Sequence, residues 1–270
     1  MINKLTFSAV AALLLFAATY FYSPQTLAAS ENMLIDKMSD QAYVLRFSDS
    51  WTNIGLLNTE QGVVLIDPAA GTANLEQLSQ FIAATFPHTA CFVLNTHGHP
   101  DHTSGNDYFQ SKGCALIDNV DNFEELQALR FSSHTGNDQV FYHKQSNSIF
   151  VGDIYETRGK AIPSFWSGGL AGLNRAVAGI ESLGDNSAVV IPGHGAPATK
   201  EKLALFRTNT AAWVARVQAL NDDNMVASDI SKDEQIRSIY EKFNVNDEQP
   251  YIAEQALIRF IERTLDTFEQ

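Results

Sequence analysis

Three of the chain's seven histidines fall within six residues, in the segment Thr96-His97-Gly98-His99-Pro100-Asp101-His102. Side chains two apart in an extended segment point the same way, so His97 and His99 can reach one ion together. Asp101 and His102 then stand at the turn into the next helix, where they can face a second ion. Imidazole nitrogen and carboxylate oxygen suit zinc, with iron or manganese as alternatives. The competing reading is a solvated surface loop. It fits poorly, because the apolar run Cys91 to Leu94 buries the approach and Gly98 leaves room for close packing.

Such a cluster needs a scaffold, and the flanking sequence alternates β-rich runs with helical patterns, which points to an α/β layered fold. Residues 41–46, 54–58 and 63–67 read as consecutive strands with tight connections. Residues 74–85 read as an amphipathic helix with Leu75, Leu78, Phe81 and Ile82 on one face. The strand 91–95 leads straight into the histidines. A short helix over 104–110 and a strand over 114–117 follow. Three strands are expected at 128–132, 139–143 and 148–151, the last two joined by a turn at Lys144-Gln145-Ser146-Asn147. A helix over 170–183 and a strand over 188–191 complete the alternation. Beyond Thr199 the pattern changes to long helices. Ile252, Ala256, Leu257, Phe260, Ile261, Leu265 and Phe268 form one apolar stripe, read as packing surface.

With these residues in view, the chain resembles the metallo-β-lactamase-fold hydrolases. Their His-x-His-x-Asp-His signature after a strand stands here intact at 97–102. Ser133-His134-Thr135-Gly136 resembles the family's third histidine motif. Phe150-Val151-Gly152-Asp153 resembles its bridging aspartate, and Ile191-Pro192-Gly193-His194-Gly195 its final histidine. Leu65-Ile66-Asp67 resembles an early aspartate motif that supports the site from behind the ligands. The resemblance covers about residues 40–200. It implies an αββα sandwich with two zinc ions between the sheets and a C-terminal helical extension. His97, His99 and His134 would hold one ion, Asp101, His102 and His194 the other, and Asp153 would bridge them. It also implies hydrolysis by a metal-bridging hydroxide, with Asp101 orienting the nucleophile or taking its proton, and Asp67 fixing ligand geometry. His88 and His143 fall outside the pattern and read as surface residues.

Two departures qualify the resemblance. Zinc β-lactamases carry a cysteine or a non-ligating residue such as serine where this chain has Asp153. The aspartate matches the binuclear branch of glyoxalase II, lactonases and phosphodiesterases. The interval from His102 to His134 is 32 residues, shorter than the family usually has, so a more open groove is expected. Two loops are candidate pocket walls: 46–53, with Phe47 and Trp51, and 155–169, with Arg158, Lys160, Phe165, Trp166 and the pair Gly168-Gly169 to allow movement. The tail shows no cluster of basic residues of the kind glyoxalase II uses on glutathione carboxylates.

Residues 1–29 read as a Sec-type export signal: Lys4, an apolar run from Leu5 to Tyr22, then small residues up to Ala28-Ala29. Residues 30–200 form the expected catalytic domain and 201–270 an extension packed on it. The expected address is periplasmic or secreted, without stable membrane association after cleavage. Removing one lysine and no acid takes the formal net charge from −13 to −14, which opposes nucleic acid or any polyanion as the main partner and disfavours a strongly anionic substrate; a small-molecule substrate is expected. The two cysteines, Cys91 and Cys114, open neighbouring strands; a bridge and two separate buried thiols both remain open readings. The function expected is an exported binuclear zinc hydrolase of a small ester, thioester or lactone. A phosphodiesterase, a β-lactamase and a non-catalytic zinc-binding periplasmic accessory protein are the alternatives.

Overall fold

The computed structural model describes residues 32–87, 90–246 and 253–268. The export segment, His88 and Ile252 lie outside the described residues. Two sheets face one another. The first has six strands in sequence order: β1 (Met33–Ser39), β2 (Ala42–Phe47), β3 (Ile54–Thr59), β4 (Gly62–Ile66), β5 (Cys91–Leu94) and β6 (Ala115–Leu116). Hairpins make β1 to β4 antiparallel, whereas α1 (Leu75–Thr85) returns the chain so that β5 runs parallel to β4. The second sheet holds β7 (Leu126–Phe131), β8 (Asp138–His143), β9 (Ser148–Gly152), β10 (Val189–Pro192) and β11 (Ala198–Thr199). There α4 (Gly169–Ser182) makes the crossover that sets β10 parallel to β9.

Burial follows the side-chain alternation of the strands. Val44, Leu57, Val64, Ile66 and Leu94 of the first sheet meet Phe141, Phe150 and Ile191 of the second in the layer between the sheets. The opposite face of the first sheet, with Leu45, Leu56, Val63, Leu65 and Val93, packs on Leu75 and Leu78 of α1 and on Phe109 of α3 (Asn106–Ser111). The outer face of the second sheet, with Val140, Ile149, Val151 and Val190, shares one apolar cluster with α4 and the helices of the tail. These are α5 (Lys200–Asp222), α7 (Glu234–Glu241) and α8 (Glu254–Asp266), with the short α6 (Ala227–Ile230) between the first two. The order of layers is therefore α, β, β, α. The tail shares one apolar cluster with the second sheet, its centre at Trp213, Phe243 and Phe260. Among the described residues no helix is long and apolar enough to cross a membrane.

Side-chain caps start two of these helices. Thr199 accepts from the Lys202 N–H at 3.2 Å and Asp233 from the Ile236 N–H at 2.9 Å. Cys91 and Cys114 are bonded to each other, their Cα atoms 4.4 Å apart, and tie the start of β5 to the residue before β6.

The structure departs from the sequence reading at β1, at the unexpected two-residue β11, around residues 100–111 and at His143. The strand β1 was not anticipated, because it is an edge strand, mostly half-exposed, with charged Asp36 and Lys37 in its middle. The helix expected over 104–110 forms as α3, but a separate short helix, α2 (Pro100–Thr103), which carries His102, precedes it. His143 is fully buried rather than on the surface. It ends β8 on the same face as Phe141, and its Nδ1 lies 2.7 Å from Ser146 Oγ.

Candidate metal centre

The chemistry-bearing residues stand where parallel neighbours end. Asp67 follows β4, the segment 95–99 follows β5, Asp153 follows β9 and His194 follows β10. The strands of a parallel pair present their C-terminal ends to the same edge, so four loops converge there. His134 joins them from the β7–β8 loop. That loop is pinned because Asp138 accepts from the backbone N–H groups of Ser133 and Thr135 at 3.0 and 2.9 Å. Two glycines allow the close approach. A Cβ on Gly193 would fall 1.9 Å from Asp153 Oδ1, and one on Gly152, which has φ +54°, would fall 2.5 Å from Thr96 Oγ1.

Two groups of potential ligands result, and Asp153 belongs to both. His97, His99, His134 and Asp153 form one; Asp101, His102, Asp153 and His194 form the other, the ligand atoms of each lying within 4.8 Å of one another. The two oxygens of Asp153 divide between them. Oδ2 lies 3.8 Å from His97 Nε2 and 3.6 Å from His134 Nε2. Oδ1 lies 3.2 Å from His102 Nε2 and 3.5 Å from His194 Nε2. Asp101 Oδ2 closes the second group at 3.2 Å from His194 Nε2.

Four of the five imidazoles are held from behind through the nitrogen that faces away. His102 Nδ1 is 2.9 Å from Asp67 Oδ2, His97 Nδ1 is 3.2 Å from Thr96 Oγ1, His134 Nδ1 is 3.1 Å from Ser164 Oγ, and His194 Nδ1 is 3.3 Å from the Trp51 carbonyl. The fifth, His99, turns its Nδ1 inward, 3.1 Å from His134 Nε2. Asp67 also accepts from the N–H and the hydroxyl of Thr96 at 2.7 and 2.6 Å, so one carboxylate sets His102 directly and His97 through Thr96.

These groups fit a divalent cation. His97 Nε2, His102 Nε2 and Asp153 Oδ1 are buried without a partner in hydrogen-bond geometry, a costly arrangement that a shared cation relieves. Charge separation in the protein alone points the same way. Burial, with His102 next to it, pushes the His97 imidazole down to about 4. Burial opposes charge on His102 as well, but the carboxylates of Asp67 and Asp153 hold it up to about 10. Asp153 is held well below the usual carboxylate range against its burial by His102 and His194.

A cleft of about 520 Å³ opens over both groups. Asp101, whose side chain is 54% exposed, stands in its wall, with Arg158 and Trp166 on the rim. Trp51 is exposed beside it, at φ +63°, with the Arg158 guanidinium 5.0 Å from its ring centroid. Lys160 and Phe165 are corrected: neither faces the cleft. The Lys160 ammonium lies 3.0 Å from Glu241 and 5.2 Å from the Tyr240 ring, and Phe165 stacks on Phe260, because the tail helices cover this part of the loop. Phe47 is likewise core. Sequence reasoning places Thr96 and Gly193 inside its motifs without a role for either, and it misses Ser164 and Glu156. Burial and the neighbouring Asp153 raise the Glu156 carboxyl, which lines the cleft, to about 7. The Gly-His pair of the final motif was the one available signal for Gly193. A second hollow of about 910 Å³ reaches His97 and Gly98 from the side, lined by Gln61, Phe92, Asn122 and Gln139. It opens beside the shortened interval between His102 and His134.

Comparison with known proteins agrees with this geometry. A family model described as the metallo-beta-lactamase superfamily matches residues 51–115, from Trp51 through the histidine cluster to Ala115. Among solved structures, a metallo-beta-lactamase from Pontibacter korlensis shares the fold at a TM-score of 0.52 and 18% identity, covering 64% of this chain and 95% of that one. A metallo-beta-lactamase from Hirschia baltica has the same TM-score, identity and coverage. Among curated proteins there is no significant match. Over residues 51–115 the chain is therefore similar to the metallo-β-lactamase superfamily, and its layer order is the fold that those solved structures share.

Proposed function

We propose that the chain is an exported hydrolase that works with two divalent cations, zinc foremost, on a small ester, thioester or lactone. The observation that carries this is Asp153, with one oxygen turned to each ligand group. His97, His99 and His134 would hold the first cation, Asp101, His102 and His194 the second, and Asp153 would bridge them. When bound, such a pair supplies Lewis acidity for the substrate oxygen and lowers the pKa of water toward neutrality. The protein's own share is orientation and proton handling. Asp101 is the exposed carboxylate of the cleft, placed to accept a proton, while Asp67, Thr96 and Ser164 keep the imidazoles turned inward. Arg158, on the rim, can meet a polar or anionic substrate group.

Export is supported by the pattern of residues 1–29 and by the Cys91–Cys114 bridge, which persists in oxidising compartments. Cephalosporin hydrolysis is the second reading, favoured by the names of the two structural relatives; an aspartate at 153 weighs against it. Metal content per chain, paired with a panel of chromogenic esters, lactones, phosphodiesters and cephalosporins, tests the proposal. Two zinc ions with ester or lactone turnover are expected. A di-iron centre, or full zinc occupancy with no turnover on any of them, would sink it.

A further inference from the structure

Three consecutive residues between Asp153 and α4 connect the metal centre to the last helix. Ser164 Oγ lies 3.1 Å from His134 Nδ1. Phe165, next in the chain, is buried and stacks on Phe260 of α8, ring centroids 6.3 Å apart and planes 9° from parallel. Phe260 stacks in turn on Trp213 of α5 at 4.3 Å and 10°. Trp166 lies 5.6 Å from the His134 ring, and the Arg263 guanidinium of α8 lies 5.4 Å from its ring centroid. The residues on either side of Phe165 therefore touch the same histidine, and α8 holds both Phe165 and Trp166.

We propose that α8 is a working part of the active site: through Phe260 and Arg263 it positions Ser164, which orients His134, and Trp166, which forms a wall of the cleft. An indole that is 60% exposed has little packing of its own to fix its rotamer. A guanidinium on its face favours one attitude about two- to fivefold at an exposed site. So held, the ring offers the substrate a flat apolar surface beside the cations. The wall would select an apolar acyl or aryl portion rather than assist the bond being cut. The roles of the ion and the substrate rest on the hydrolase reading above, whereas the clamp itself does not.

The test separates the two. In a Trp51→Phe background, acrylamide quenching of fluorescence reports Trp166, because Trp213 is fully buried. Arg263 is exposed, so Arg263→Ala leaves the fold in place. It should increase quenching and raise KM about two- to fivefold while kcat holds, with Arg263→Lys restoring part of both. Ser164→Ala should weaken one of the two bound cations about tenfold or more in a chelator competition, with Ser164→Thr restoring it. Unchanged quenching and KM in Arg263→Ala, or unchanged cation affinity in Ser164→Ala, would overturn the positioning role. A wild-type chain that takes up no metal would sink the hydrolase reading alone, and quenching would still decide whether Arg263 holds Trp166.

Discussion

The sandwich buries a histidine completely at each end, and the two could hardly be treated more differently. At the metal end His102 is met on Nδ1 by Asp67 and on Nε2 by Asp153, and the two carboxylates hold its imidazole up to about 10 despite burial. At the far end His143 has the Ser146 hydroxyl on Nδ1 and, among the described residues, no hydrogen bond on Nε2; burial lowers it, and Glu125 opposes that to a smaller extent. Burial is the same, so burial does not make a ligand. What distinguishes His102 is convergence: strand ends from both sheets bring carboxylates and further imidazoles to the same few ångströms.

The sharpest way to break that contrast is to remove the shared carboxylate. Asp153→Ala strips an oxygen from both ligand groups at once. It should leave at most weakly held metal after gel filtration, measured by elemental analysis, with turnover at background. Two tightly held ions in that variant would refute the bridging role and with it the difference between the two ends. Asp67→Asn is gentler. Asn tolerates the left-handed backbone that position 67 adopts at φ +52°, but it removes the charge behind His102. Cation affinity should fall about 10- to 100-fold in a chelator competition, with secondary structure unchanged by circular dichroism.

Protonation gives a third comparison. Metal-free His102, held up to about 10, carries its proton at pH 7.5, and a ligand nitrogen must lose it. His97, pushed down to about 4, is already neutral there. Cation uptake should therefore release protons, and affinity should rise with pH from neutrality toward 10. Calorimetry in buffers of different ionisation enthalpy measures the number released. No proton release at pH 7.5 would show that the Asp67–His102–Asp153 charge arrangement is not as described.

How much of this was legible in the sequence depended on distance along the chain. Residues 97–102 declared themselves because period-two spacing on a strand exit is a local property. His134, Asp153 and His194 come from three other strand ends, and only the resemblance of their short motifs, not their spacing, joined them to the cluster. The supporting atoms were harder still. Nothing near Ser164 marks it as a partner for a histidine 30 residues away. Lys160 and Phe165 looked exposed because their loop is rich in Ser, Gly and Pro, yet Glu241 and Phe260, roughly 80 to 95 residues on, bury them. His143 was misread for the same reason, a polar turn next to a strand whose inward face is set by its partners.

The smallest expected effect lies at the far end, and it is the most informative about the comparison. His143→Leu keeps nearly the same volume, loses the bond to Ser146, which contributes about 1 kcal/mol, and removes a buried nitrogen without a partner, whose burial costs about 1–3 kcal/mol. The relief equals or exceeds the loss, so urea unfolding of the metal-free protein should shift by about 0–2 kcal/mol toward greater stability. Both cations and full turnover should remain. A loss of metal in His143→Leu would mean that the two ends are coupled through β8, and that His143 serves the centre from its far side.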